Sequence, residues 1–147
     1  MTRRLLATAC VVAAAAAGCV LPARSTYAYT GKAVATVTMT LSAAQTGLFV
    51  AQMAGRGRVT DAYASVTLTD AEGDASGAQA AFDSIQPPES HSDGVRDKLD
   101  PMLADTVGTL SSMRIAARRG ELDQLKPYAE QLQKEIAKLE DFKARQR

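Results

Sequence analysis

An all-α fold, arranged as an antiparallel four-helix bundle, is what this sequence predicts, and three observations carry the expectation. Four successive segments place apolar residues at alternating steps of three and four, the spacing of a helix face packed in a bundle. Gly55-Arg56-Gly57-Arg58, Pro87-Pro88 and Gly120 punctuate them. These separators are short, and short connections between long helices favour antiparallel neighbours. The expected topology is up-down-up-down; a three-helix core with an irregular first segment is the fallback.

The first segment aligns Val34, Val37, Leu41, Ala44, Leu48 and Ala51. Val37, Met39 and Leu41 also alternate as a strand would, and the interleaved threonines favour strands. The longer three-four pattern decides for helix. The second segment aligns Ala64, Leu68, Ala71, Ala75, Ala78, Phe82 and Ile85. Its alanines let a neighbouring helix come close. Gly73 and Gly77 each cost roughly 1 kcal/mol in an exposed helix interior, which makes close packing their expected use. Pro87-Pro88 then ends the helix, since proline cannot continue it and holds the preceding residue extended.

The third segment aligns Leu99, Leu103, Thr106, Leu110, Met113 and Ala117. Two starts fit it: an early one capped by Ser92 or Asp93, and Asp100-Pro101 with Asp as cap and Pro as first helical residue. Arg114, Arg118 and Arg119 before Gly120 mark its end, because cations suit the negative helix terminus and glycine supplies the left-handed cap. The fourth aligns Leu122, Leu125, Ala129, Leu132, Ile136 and Leu139, unbroken in phase across Pro127. A short first turn or a kink is expected at that proline.

Before these segments stands a different kind of sequence. Arg3 and Arg4 precede an apolar run from Leu5 to Ala17, and Ala16-Ala17-Gly18-Cys19 closes it. The run is shorter than the roughly 20 residues of a membrane-spanning helix and suits an export signal. Residues 16–19 resemble the lipobox of bacterial lipoproteins, with Ala16 where the family usually carries leucine. The resemblance implies diacylglyceryl modification of Cys19, cleavage before it, and residence on the extracytoplasmic face of the cell membrane. An ordinary secretory signal cleaved near Ala17 and an uncleaved apolar stretch are the alternatives. The expected organisation is a signal peptide at 1–18, a lipidated tether at 19–30 and a helical bundle at 31–147.

Composition narrows the function. Loss of residues 1–18 removes Arg3, Arg4 and Cys10 and leaves acids and bases nearly balanced, against the basic face of a nucleic-acid binder. Cys19 is then the one remaining cysteine, so no internal disulfide is expected. Tryptophan is absent and aromatics are 5% of the chain, which disfavours sugar platforms and choline cages. His91, the single histidine, falls in the loop after the double proline and offers little to a zinc site or a triad. Phosphate loops, G-x-S-x-G, C-x-x-C and H-E-x-x-H are absent. No cofactor is expected.

The remaining candidates each carry two readings. Asp70, Glu72 and Asp74 form a solvated face or a metal group. Asp93, Asp97, Asp100 and Asp105 match a positive helix end or contain an acid–base pair, for which one carboxyl must be buried. Arg114, Arg118 and Arg119, with Arg56 and Arg58, complete helix ends or bind phosphate or anionic lipid heads. Tyr63 and Val66, with Val59, widen the core face of the second helix or form a docking patch for a partner. The leader, the double proline and Arg114-Ile115-Ala116-Ala117-Arg118-Arg119-Gly120 look like small uncharacterised actinobacterial lipoproteins, a resemblance that brings no activity with it. The expected function is a non-enzymatic binding or scaffolding module held at the membrane by Cys19, with an envelope protein as partner. A ligand or metal carrier with a pocket inside the bundle and a carboxylate-dependent envelope hydrolase are the alternatives.

Overall fold

The computed structural model describes residues 25–146; the expected signal, Cys19 and residues 20–24 of the tether lie outside them. Four helices follow one another: α1 (Thr26–Gly55), α2 (Asp61–Asp83), α3 (Ser90–Arg118) and α4 (Leu125–Arg145), the last preceded by a 3-10 turn at Leu122–Gln124. Among the described residues there is no strand. The strand alternation in the first segment is not realised, and Met39 faces solvent.

α1 begins earlier than its apolar spacing announced. Ser25 is extended and its hydroxyl accepts the Ala28 amide at 3.2 Å, a side-chain N-cap. Tyr29, expected in the tether, is fully buried, its ring 5.4 Å from that of Phe82 on α2. The last residues of the expected tether therefore belong to the bundle. Lys32 is the one charged residue of α1. The helix is long and apolar enough to cross a bilayer, yet half of its most apolar stretch is buried against the other helices.

Both distal helix ends close the same way. Gly57 stands at φ +64° and Gly120 at φ +74°. At the first, Arg58 N–H reaches Met53 C=O and Gly57 N–H reaches Ala54 C=O, both at 2.9 Å. At the second, Glu121 and Gly120 amides reach the Ala116 and Ala117 carbonyls, both at 3.0 Å. These are paired Schellman bonds, and glycine takes the left-handed position without a Cβ clash. Pro127 sits in the first turn of α4, where its missing N–H has no carbonyl to serve.

The third helix takes the earlier of its two expected starts, with a different cap, and corrects the later one. It begins at Ser90 with Glu89 as cap, so Pro101 lies inside α3 and His91 in its first turn. Pro101 is exposed, so its ring faces solvent and the cost falls on one backbone bond. The glycines of α2 correct another expectation. Gly73 and Gly77 face open space, and a Cβ there would meet nothing within 4 Å. The close approach is made by Gly47 of α1, where a Cβ would lie 2.7 Å from a Leu110 methyl and 3.0 Å from one of Leu132.

Cross-helix pairs fix the directions. Tyr29 meets Phe82 at one end of α1, while Phe49 and Met53 share a groove with Tyr63 at the other. Asp61 lies beside Gly120, and Arg96 donates to the Asp83 carbonyl at 3.2 Å and to that of Ile85. Thr109 of α3 donates to Glu135 of α4 at 2.8 Å. Each helix therefore runs against the next. The core between them holds Leu68, Leu99, Leu103, Leu110, Leu132 and Leu139, all fully buried, each worth about 1.5–3 kcal/mol relative to exposure. The chain enters at the Ser25 end, together with the 84–89 loop. The 56–60 and 119–124 connections lie at the opposite end, which α1 at 1.5 Å per residue places about 45 Å away.

Candidate functional site

At that far end, a valley between α1 and α2 exposes apolar side chains. Phe49, Met53, Val59 and Tyr63 line it with Thr60 and Arg58, enclosing a solvent-open volume of about 390 Å³. Phe49 and Tyr63 are each 54% exposed and Val66, one turn below Tyr63, is 62% exposed. Local structure sets this arrangement. The Schellman turn at Gly57 directs the chain so that Arg58 stands at the mouth of the groove. Thr60 then accepts the Tyr63 amide at 3.2 Å and starts α2. Asp70 and Asp74 follow Tyr63 at seven and eleven positions, on the same side of α2, and both are exposed. The groove side thus carries arginine at its top, aromatic and aliphatic groups below it, and two carboxylates further down.

Tyr63 and Val66 are therefore surface residues, and the wide-core reading of them does not hold. The arginines separate. Arg114 crosses to α2, where its Nε and a terminal nitrogen donate to Glu72 with side chains only 20% and 21% exposed. That pairing, with a further hydrogen bond from Ser111, holds the Glu72 carboxyl below its ordinary value, and Glu72 raises the Arg114 guanidinium. Arg114 is thus a link between helices rather than part of an anion surface. Arg118 and Arg119 are exposed at the end of α3. Arg119 lines a second open groove, of about 620 Å³, with Ser112, Glu121, Asp123 and Tyr128 between α3 and α4. Its two carboxylates are solvent-exposed, whereas a general acid is kept protonated by burial.

The acidic candidates also separate. Glu72 turns toward α3, so Asp70, Glu72 and Asp74 do not converge. Among the described residues no group of three or more His, Cys, Asp or Glu side chains could hold a metal ion. Asp93, Asp97 and Asp105 are exposed. Asp100 is half-buried, and burial, then the Asp83 charge, push its carboxyl up from the ordinary range. Beside it Arg96 Nε donates to the Tyr29 hydroxyl at 3.2 Å. Burial raises the Tyr29 phenol against the lowering effect of that arginine. This cluster at the Ser25 end ties α1 and the α2–α3 loop to α3. Glu135, buried on α4, accepts from Thr109 and, at 3.0 Å, from Gln131.

Sequence reasoning did not single out Phe49 and Met53. The available signal was an absence: no charged residue lies between Ala33 and Gly55, although the outward face of a surface helix is normally charged. Comparison with protein-family models, curated proteins and solved structures finds no match for the chain.

Proposed function

We propose that this chain is an envelope lipoprotein, held by lipid on Cys19, whose helical bundle binds a protein partner through the α1–α2 groove. The observation that carries this reading is the groove itself, where Phe49 and Tyr63 are more than half exposed beside Arg58; Val66, also exposed, continues the apolar surface on α2 one turn below the groove lining. Aromatic and arginine side chains are the groups most enriched at interface centres. The position supports it too. A lipid on Cys19 holds the Ser25 end, since residues 20–25 extend at most about 20 Å. The groove then lies at the end of α1 furthest from the anchor. Two acyl chains give the lasting attachment that one chain does not.

Two measurements test the reading. Metabolic lipid labelling should mark the wild-type chain and not Cys19→Ala; label that persists on the variant removes the anchor. A photoactivatable amino acid at position 66 should give a defined adduct in intact membranes, while one at position 138, on exposed α4 surface, should not. Equal yields from the two positions would remove the groove as the docking site.

A further inference from the structure

We infer that the occupant of this groove is a second copy of the same chain, paired antiparallel about a twofold axis near Val66. The inference rests on the docking reading above and names its partner. It follows from how charge is laid out along the groove. Arg58 stands at the mouth, with Arg56 beside it in the turn; Asp70 and Asp74 lie further down the same side of α2. α1 contributes Lys32 alone, near its other end, and α2 contributes no base at all. A partner of uniform sign is repelled at one end of such a surface. The same surface turned by half a revolution is matched at both ends.

The spacing fits that operation. Val66 is about 12 Å from Asp74 along α2 and about 9 Å from its cap Thr60, just beyond which Arg58 stands in the turn. A twofold axis through Val66 therefore brings Arg58 of each copy against Asp74 of the other, with Asp70 one turn nearer the axis. The exposed apolar residues fall where the axis passes. Val66 is about 7 Å below the top of α2 and Phe49 about 9 Å below the top of α1, at 1.5 Å per residue. Phe49, Tyr63 and Val66 thus form the centre of an isologous contact, and the charges form its rim. Glu72 takes no part, because Arg114 holds it on the α3 side.

Size sets the strength. A face two helices wide and about 16 residues long covers roughly 500 Å², below the roughly 800 Å² per partner of a standard stable complex. The pair is therefore weak in dilute solution and forms where a shared membrane raises the local concentration. Lying along the membrane, it leaves both tethers able to reach one surface.

The test uses the full chain in membranes, with the photoactivatable residue at position 66. The adduct should have twice the mass of the chain. Arg58→Asp should lower its yield several-fold, and adding Asp70→Arg with Asp74→Arg should restore it. Circular dichroism of each variant checks that the exposed substitutions leave the helices intact. An unchanged yield in Arg58→Asp, or no recovery in the swapped variant, overturns the pairing. An adduct with a different protein overturns the self-pairing and leaves the docking reading standing. No adduct at all overturns both.

Discussion

Arg114 of α3 and Glu72 of α2 form an ion pair across the helix interface, both side chains about four-fifths buried. The pair decides the character of two surfaces. It withdraws the best-placed cation from the α3 end, and it withdraws the middle carboxylate from the α2 acidic group. Tyr63, Val66, Asp70 and Asp74 of α2 stay exposed.

Breaking that pair should weaken the fold in a pH-dependent way. The Glu72 carboxyl titrates below its ordinary value in the folded chain. Its contribution is therefore present above the unfolded glutamate value and is lost as pH falls through the lowered folded value. Glu72→Gln should cost about 1 kcal/mol at neutral pH, the upper range for ion pairs that are not fully buried. The gap to wild type should close on acidification. Urea melts of the two chains from pH 7 to pH 3 check it, and a gap constant with pH would contradict it.

Two glycine substitutions should differ in outcome. At Gly47 a methyl group collides with Leu110 and Leu132, both fully buried and with little room to yield. Overpacking costs about 1–3 kcal/mol, against about 1 kcal/mol gained in helix propensity, so Gly47→Ala should be neutral to clearly destabilising. Gly77 faces open space, and Gly77→Ala should stabilise by about 0.5–1 kcal/mol. Thermal melts of the two variants should move apart, with Gly77→Ala the higher.

Asp100 should be a site where removing a charge helps. Burial and Asp83 raise its carboxyl in the folded chain. A raised acid favours the folded state when protonated: its contribution is full below the unfolded aspartate value and is lost as pH rises through the folded value. Asp100→Asn imitates the protonated form. It should therefore raise stability at neutral pH, with the gain vanishing at low pH where both chains are neutral there. Thermal melts at pH 7 and pH 3 read this directly.

The groove should be separable from the fold. Val66 is exposed, so Val66→Glu should change stability by less than about 0.5 kcal/mol. The same variant places a carboxylate at the apolar centre of the contact and should remove membrane crosslinking from a probe at position 63. Retained crosslinking with an unchanged melt would contradict the assignment of Val66 to the interface.

Much of the bundle was legible in the sequence. The faces of α2, α3 and α4 could be read because each carries its apolar residues in phase, and α2 and α3 are closed by proline and glycine. Tyr29 could not be, because its burial depends on Phe82, far along the chain and brought near only by the antiparallel turn. Pro101 misled because Asp-Pro is a good helix start, and nothing local reveals that its ring would face solvent. Gly73 and Gly77 misled for the converse reason: close packing was assigned to α2, whereas Gly47 on the more enclosed α1 provides it. At the candidate site, Tyr63 and Val66 were visible as an extra apolar stripe, but its exposure depends on how α1 lies beside α2. The pairing of Arg114 with Glu72 was equally hidden, since it joins two helices.

Under the proposed function, a lipid on Cys19 brings the chain to a membrane and the α1–α2 groove is covered there. Hydroxyl-radical footprinting of the full chain reads this with an internal reference. Tyr63 is 54% exposed in the groove, and Tyr27 is 90% exposed at the other end of the bundle. In dilute detergent the two should be oxidised in rough proportion to those exposures. In intact membranes the Tyr63 rate should fall several-fold relative to Tyr27. A Tyr63 to Tyr27 ratio that stays the same in membranes and in detergent would contradict the claim.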